Sequence, residues 1–277
     1  MVQIITDSSS LYTPEEARAA GFEAVPLCVC IDDSHERDLL LDMDQYYEKI
    51  HRGLLPITSQ PPLGDVIEAF ETYKDFEIIN ISMADGLSGT YQTACSAREM
   101  TDHKERIHVF NSRTLCGPHQ YMVQTAQKMK ESGSTAQEIL TWLNEAADHS
   151  ESFLIPQDFS FLKRGGRLTP LAAATGSVLK LKPIMKLTKD GKRLDKFGIK
   201  RTMASAAESI IDSLKDRHLG KDHILYISHG NALEDAQKIK ALFQRAFQDL
   251  EIRILELSAA FVAQGGPRCV AIQYIRR

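Results

Sequence analysis

One stretch of the chain combines hydroxyl side chains, a glycine and a predicted helix start. Residues 78–81 form an apolar run that predicts a buried strand, and a turn sequence separates it from a helix that is predicted to begin near Ser88. Backbone N–H groups at a helix start attract anions, the hydroxyl groups of Ser88 and Thr90 add donors, and Gly89 lets an anion approach the backbone. Taken alone, the stretch is more typical of a Ser88 helix cap than of an anion site, and both interpretations stay open.

A second candidate anion site lies at Thr58 and Ser59. These residues precede Pro61 and Pro62, and the prolines indicate the start of a helix whose buried stripe lies within residues 63–70. Thr58 and Ser59 are therefore predicted to lie at a second helix N-terminus. They would either bind an anion there or only cap the helix, which is the commoner role of such residues.

The chain carries no complete catalytic motif. The basic glycine turn at 163–167 lacks the Gly-x-x-x-x-Gly-Lys-Ser/Thr spacing of a phosphate-binding loop, although either of its arginines would pair with a carboxylate or phosphate if it is not simply solvated. A nucleophilic Ser88 would need His119 or His229 brought close as a base. A Ser-dependent hydrolase or a small-molecule phosphotransferase is therefore the alternative to a binding protein.

The composition is that of a globular protein, with 43% apolar and 25% charged residues among 277. A net charge of −4 offers no basic surface for nucleic acid or an anionic membrane. The sequence has no apolar run long enough to cross a bilayer, and its first residues follow a strand pattern rather than a signal-peptide pattern. These features predict a cytoplasmic protein that is not integral to a membrane.

The five cysteines are an odd set without paired spacing: Cys28, Cys30, Cys95, Cys116 and Cys269. This set predicts free thiols in a reducing compartment rather than a disulfide framework. Cys28 and Cys30 are expected on the same face of one strand. The nine histidines form no metal-binding motif, so neither a metal nor a cofactor is predicted.

Strand, loop and helix alternate through the first half of the chain, which predicts a mainly parallel sheet flanked by helices. One strand is predicted over residues 24–31, where Pro26 suggests an edge or a bulge. Ligands of such sheets bind beyond the carboxyl ends of the strands, and Ser8, Ser88 and Ser112 are predicted to lie at that edge.

The pattern changes after residue 152. An Asp-Gly pair at 190–191 indicates the turn of a hairpin among helices, and small residues at 172–176 indicate a closely packed helix. The predicted fold class is α/β with two domains. The first, 1–152, is an N-terminal α/β domain with a mainly parallel sheet, and the second, 153–277, is a C-terminal mixed α+β domain.

Short motifs follow one another in a fixed order along nearly the whole chain. They are residues 5–9 (Ile-Thr-Asp-Ser-Ser), 58–61 (Thr-Ser-Gln-Pro), 87–92 (Leu-Ser-Gly-Thr-Tyr-Gln), 111–114 (Asn-Ser-Arg-Thr), 161–168 (Phe-Leu-Lys-Arg-Gly-Gly-Arg-Leu), 181–184 (Leu-Lys-Pro-Ile), 228–230 (Ser-His-Gly) and 266–267 (Gly-Pro). The ordered set resembles the DegV family of bacterial fatty-acid-binding proteins.

The resemblance implies a protein that encloses a long-chain fatty acid between and within two domains and is not itself an enzyme. Members with known roles present the acyl carboxylate to a separate fatty acid kinase, so a kinase subunit is the implied partner. Residue by residue, Thr58 and Ser88 match the family's carboxylate ligands, and Arg167 matches an arginine near the head group. Ser59 and Gly89, which adjoin the two ligands in the same motifs, complete this part of the predicted site.

Two segments depart from the family pattern. Near the C-terminus the family has Gly-Ala-His-Thr-Gly-Pro-Gly, whose His contacts the carboxylate, whereas this chain has Gln264 at the matching position. A glutamine donates a hydrogen bond but carries no charge, so Gln264 is predicted to bind the head group as a neutral donor. Residues 197–202 are less basic than the run that meets the kinase in the family, so lipid binding is implied more strongly than kinase partnership.

Overall fold

The computed structural model describes residues 1–174 and 181–277. The chain divides into two compact units, Met1–Asp148 and His149–Arg277. The boundary predicted after residue 152 falls inside the strand Ser150–Ile155, whose pairing partners all belong to the second unit.

The first unit contains seven strands and six α-helices. Its strands are β1 (Val2–Asp7), β2 (Glu23–Val25), β3 (Cys28–Ile31), β4 (Ser34–Arg37), β5 (Ile57–Ser59), β6 (Glu77–Ser82) and β7 (Ile107–Asn111). Its helices are α1 (Pro14–Ala19), α2 (Met43–His51), α3 (Leu63–Thr72), α4 (Thr90–Glu99), α5 (Cys116–Glu131) and α6 (Ala136–Asp148). Four strands form a parallel sheet in the order β2-β1-β6-β7, which confirms the predicted α/β class.

The parallel sheet is fixed to its helices by a buried apolar cluster. Ile5 and Ile78 of the sheet pack with Phe70 of α3 and Ala94 of α4, and the three large side chains of this group are fully buried. Burial of each such side chain contributes about 1.5–3 kcal/mol. The cluster therefore holds the start of α4 beyond the carboxyl end of β6.

The strand predicted over residues 24–31 is instead two strands, β2 and β3, which belong to different sheets. Pro26 lies between them and has no N–H group to donate. The N–H of Leu27 donates to Ser8 Oγ at 3.1 Å, and the carbonyl of Leu27 accepts from the N–H of Asp38 at 2.8 Å. The chain thus leaves the parallel sheet at Pro26, and β3 becomes the centre of an antiparallel sheet in the order β4-β3-β5.

The second unit is built on one mixed sheet. Its strands are β8 (Ser150–Ile155), β9 (Lys182–Leu187), β10 (Leu194–Lys200), β11 (His223–His229), β12 (Glu251–Glu256) and β13 (Val270–Arg276). Its helices are α7 (Phe159–Gly165), α8 (Pro170–Ala173), α9 (Met203–Leu214), α10 (Leu233–Ala246) and α11 (Ala259–Gly265). The strand order is β10-β9-β8-β13-β11-β12, with β11 and β12 parallel and the other pairs antiparallel.

The predicted hairpin is confirmed as β9 and β10, with Gly191 at a φ of 72° in its turn. Of the small-residue segment at 172–176, residues 175 and 176 lie outside the described residues, and α8 ends at Ala173.

One face of the mixed sheet carries the core of the second unit. Leu225 and Ile227 of β11 and Ile272 of β13 pack against Ile210 of α9 and Phe243 of α10, and all five are fully buried. Within residues 1–174 and 181–277, none of the helices combines the length and apolar character needed to cross a membrane.

Candidate functional site

Ser88 lies on the loop between β6 and α4, just before the N-cap residue Gly89. Its Oγ is 2.8 Å from Thr90 Oγ1 and accepts a hydrogen bond from the N–H of Thr90 at 3.3 Å. The helix begins at Thr90, close to the predicted start. Ser88 therefore satisfies one N–H group of the first turn, and its hydroxyl group remains at the helix start, where an anion would bind.

The segment that carries Thr58 approaches this helix start. A Cβ atom placed on Gly89 would lie 3.2 Å from Gln60 Oε1 and 3.3 Å from Gln60 Cδ, which is closer than an ordinary van der Waals contact. Gly89 has a φ of −73°, so close approach of Gln60, rather than backbone conformation, makes a glycine useful here. The sequence did not predict Gln60 as a site residue. The signal that could have identified it is its position between Ser59 and Pro61, in a motif that resembles the family.

Thr58 and Ser59 do not lie at a helix N-terminus. They lie in β5, and α3 begins only at Leu63, after an N-cap residue, Pro62, that makes no side-chain cap bond. A proline disfavours helical conformation in the residue before it, so the two consecutive prolines prolong the extended chain after β5. The predicted position of Thr58 and Ser59 at a helix N-terminus is therefore wrong.

The register of β5 separates the two hydroxyl groups. Thr58 pairs with Val29 and Ser59 pairs with Cys28 on the neighbouring strand β3. Directly paired residues share a face of the sheet, and successive residues alternate between faces. Val29 is 1% exposed, whereas Ser59 is exposed. Thr58 thus lies on the inner face and Ser59 on the outer face, so the structure does not bring their hydroxyl groups together.

In the second unit, Arg167 and Gln264 both lie beside Gly165. Nη1 of Arg167 donates to the carbonyl oxygen of Gly165. A Cβ atom placed on Gly165 would overlap Gln264 Oε1 and would lie 3.4 Å from Gln264 Cδ and 3.9 Å from Arg167 Cδ. Helix α7 ends at Gly165 and packs against α11, which carries Gln264. The structure therefore places a cationic and a neutral hydrogen-bonding group around one glycine.

The environment of Arg167 favours an anion next to it. Burial, and then repulsion from Arg193, lowers the pKa of the half-buried Arg167 guanidinium. Both effects penalise the charged form, and a bound carboxylate would oppose both. The planar guanidinium also matches the two oxygens of a carboxylate.

His119, one of the two candidate bases, is fully buried and has partners at both ring nitrogens. Nε2 is 2.8 Å from Thr6 Oγ1, and Nδ1 is 2.9 Å from Ser112 Oγ. Both hydroxyl groups also have a backbone carbonyl partner: Thr6 Oγ1 donates to Ile81 at 3.0 Å, and Ser112 Oγ donates to Thr114 at 3.2 Å. Burial lowers the pKa of His119, which favours the neutral imidazole. The arrangement fastens α5 to the ends of β1 and β7.

His229, the other candidate base, is buried at the end of β11. Its Nδ1 accepts a hydrogen bond from the N–H of Ala232 at 3.3 Å, and burial lowers its pKa. In the part of the chain that the structure describes, the hydrogen bonds of Ser88 are to Thr90, and none joins it to a histidine. Nor do the described residues include a group of three or more His, Cys, Asp or Glu side chains arranged to hold a metal ion.

Comparisons with known proteins agree with the ordered motifs. The model of the family described as "Uncharacterised protein, DegV family" matches residues 1–277. The chain is similar to the DegV domain-containing protein of Halalkalibacterium halodurans, with 31% identity over 261 residues, which covers 91% of this chain and 90% of that protein.

Solved structures share the whole fold. Bacillus subtilis DegV, described as a fatty acid binding protein, superposes with a TM-score of 0.85 at 26% identity and covers 100% of this chain and 99% of its own. A DegV family protein from Eubacterium eligens loaded with heptadecanoic acid superposes with a TM-score of 0.86 at 21% identity, covering 100% of both chains. Since the family model spans the chain from its first residue to its last, the protein belongs to the DegV family, as the order of its motifs predicted.

Proposed function

We propose that this protein binds a long-chain fatty acid in a buried pocket and holds the carboxylate at the start of α4, and that it is a binding protein rather than an enzyme. The main observation that supports this proposal is the close approach of Gln60 to Gly89. It joins the segment that bears Thr58 to the helix start that bears Ser88, so two hydroxyl groups from distant parts of the sequence are available to one anion.

The electrostatics of the helix start support an anion. The first turn of α4 contains no acidic side chain, so its backbone N–H groups are not neutralised from within the helix. Asp85 on the preceding loop accepts a hydrogen bond from Gln92 Nε2 at 3.2 Å. A buried carboxylate held by hydroxyl and backbone donors gains roughly 1.5–3 kcal/mol per hydrogen bond.

We propose separately that Arg167 and Gln264, within the second unit, form a carboxylate-binding pair. Arg167 offers charge and Gln264 offers a neutral amide, and both lie around Gly165. Ser59 contributes less, because its side chain lies on the outer face of the β4-β3-β5 sheet.

The proposal that the ligand is a fatty acid rests on the solved structures of relatives. The Bacillus subtilis protein is described as fatty acid binding, and the Eubacterium eligens protein was loaded with heptadecanoic acid. Burial of an acyl chain contributes about 0.8 kcal/mol per methylene, so a long chain is expected to survive purification.

The first test is solvent extraction of the purified full-length protein, followed by mass spectrometry. We expect one or more long-chain acids in stoichiometric amount, and undamaged protein that carries none would contradict the proposal. Displacement of a fluorescent long-chain fatty acid then tests the residues. Ser88→Ala and Arg167→Gln should each weaken binding by about 1–3 kcal/mol, whereas Arg164→Gln, which removes an exposed arginine stacked on Phe161, should not.

The remaining part of the proposal is that the bound acid is presented to a separate fatty acid kinase in the cytoplasm. All five cysteines are free thiols, which suits a reducing compartment. With ATP and such a kinase, acyl phosphate should form only when this protein is present. Acyl phosphate formation or acyl-ester hydrolysis by the protein alone would instead support the alternative of a phosphotransferase or a Ser-dependent hydrolase.

A further inference from the structure

The hairpin of β3 and β4 places two cysteines opposite two nitrogen-bearing side chains. Cys30 pairs with His35, and Cys28 pairs with Arg37. The distance from Cys30 Sγ to His35 Nδ1 is 2.8 Å, and Arg37 Nη1 donates to Cys28 Sγ at 2.9 Å. Each thiol therefore has one defined partner, and the two partners differ in chemistry.

Three of the five thiols are partly accessible, namely those of Cys28, Cys30 and Cys95. Cys116 and Cys269 are buried, and burial raises the pKa of Cys269 to about 12. Burial likewise raises the pKa of Cys95. Cys28 and Cys30 are only half-buried, and they lie on the face of their sheet that also carries the exposed residue Ser59.

The two partners make the thiols unequal. With its proton on Nε2, His35 can accept the S–H proton at Nδ1 and leave a thiolate, which is the nucleophilic form of cysteine. The Arg37 guanidinium accepts no proton, and its stabilisation of a thiolate at Cys28 is weakened because its charge is shared with the Asp65 carboxylate at 2.7 Å. Cys30 therefore has a base within hydrogen-bond distance, and Cys28 does not.

We propose that Cys30 is a reactive thiol that is modified as a mixed disulfide by small-molecule disulfides. The S–H proton passes to His35 Nδ1, and the Cys30 thiolate attacks one sulfur of the small disulfide. A new S–S bond forms between Cys30 and that sulfur, the original S–S bond breaks, and the leaving thiolate takes up the proton. The small disulfide is the oxidant and is reduced to one free thiol.

Cys28 cannot resolve this product into an internal disulfide. Residues two apart on a strand are separated by roughly 6.6 Å with parallel Cβ vectors, whereas a disulfide needs Cβ atoms about 3.5–4.5 Å apart. The mixed disulfide on Cys30 is therefore the end product until an external thiol removes it. This inference does not depend on fatty acid binding.

The test uses the full-length native protein and oxidised glutathione, with the modification rate at each cysteine measured by mass spectrometry of peptides. In the wild type, Cys30 should react at least about tenfold faster than Cys28, a threshold below the roughly 10²–10⁴-fold effect of a well-positioned base. Equal rates at the two thiols would overturn the proposal, and this comparison needs no variant.

Variants then test the role of His35. His35→Gln should lower the Cys30 rate toward that of Cys28 and leave the Cys28 rate unchanged. Cys28→Ser is the matched control and should preserve the fast rate at Cys30, whereas Cys30→Ser should abolish the fast phase. A His35→Gln protein whose Cys30 rate is unchanged, or whose two thiol rates rise together, would contradict the proposed base.

Discussion

Gly89 and Gln60 lie so close that one added carbon atom would crowd them. A Cβ on Gly89 would stand 3.2 Å from Gln60 Oε1 and 3.3 Å from Gln60 Cδ. This contact joins the end of β5 to the start of α4, and it is formed by a glycine and by the movable end of a long side chain. A substitution that disturbs this contact should therefore change anion binding more than the stability of the fold.

The first prediction is that Gly89→Ala weakens fatty acid binding severalfold while changing the free energy of unfolding by no more than about 1 kcal/mol. The backbone of Gly89 already has a φ that alanine accepts, so the cost falls on Gln60, which must move by a few tenths of an ångström. Displacement of a fluorescent fatty acid and urea unfolding measure the two effects.

Gly64→Ala is the control for that substitution. Gly64 lies in α3, and a Cβ there would have no atom within 4 Å. Alanine should stabilise the helix by up to about 1 kcal/mol and leave binding unchanged. If both variants bound the fatty acid like the wild type, the contact between Gln60 and Gly89 would have no part in the site.

The second prediction uses the opposite orientations of two neighbours on β5. Thr58→Ala should weaken binding by about 1–3 kcal/mol, because it removes a donor to a buried charged group on the inner face. Ser59→Ala, on the outer face, should change binding by less than about 0.5 kcal/mol. Isothermal titration with hexadecanoic acid after delipidation measures both. An equal loss in the two variants would mean that the register does not determine which hydroxyl group binds.

The parts of the fold that the sequence predicted correctly rest on local signals. The Asp-Gly pair at 190–191 forms the turn between β9 and β10, and α4 begins at Thr90, close to its predicted start near Ser88. The parallel sheet likewise follows from strands that alternate with helices along the chain. Each of these features is decided by residues within a few positions of one another.

The parts that the sequence did not predict depend on distant pairs. Apolar residues occur at every second position from Val25 to Ile31, on both sides of Pro26. This pattern could not reveal that β2 and β3 belong to different sheets. Thr58 precedes two prolines, which is typical of a helix cap, and only its pairing with Val29 reveals a strand residue on the inner face. The motif order did point to Thr58 and Ser88, but Gln60 emerged only from its contact with Gly89.

The third prediction concerns His119 and the pH dependence of stability. Burial lowers the pKa of His119, whereas an unfolded histidine titrates near about 6.5. Below that pH the unfolded chain binds a proton that the folded protein resists, so the free energy of unfolding falls as pH falls, by at most about 1.4 kcal/mol per pH unit for this group. His119→Gln should reduce this slope between about pH 7 and 5.

Urea unfolding at several pH values gives the slope. The variant also loses hydrogen bonds to Thr6 and Ser112, so its stability should be lower at every pH by about 1–3 kcal/mol, but only the slope reports the titration. Some slope should remain, because burial lowers the pKa of His229 in the same direction. The exposed His51 provides a control through His51→Gln. A His119→Gln slope equal to that of the wild type would show that His119 is not the group responsible.

The last prediction concerns Gln264, the predicted neutral donor to the head group. Gln264 lies beside Gly165 together with Arg167, and a neutral amide there binds a carboxylate equally well across neutral pH. In a Gln264→His variant, a bound carboxylate would raise the pKa of the new imidazole, while the nearby Arg167 charge would oppose that rise. Binding should therefore be tighter below the pKa of the new histidine and should lose that gain above it.

Displacement of a fluorescent fatty acid from about pH 6 to about pH 8 measures this difference. Affinity should stay constant with pH for the wild type and should fall as pH rises for Gln264→His, with Gln264→Asn as the uncharged control. Identical profiles for Gln264→His and the wild type would mean that residue 264 does not contact the head group.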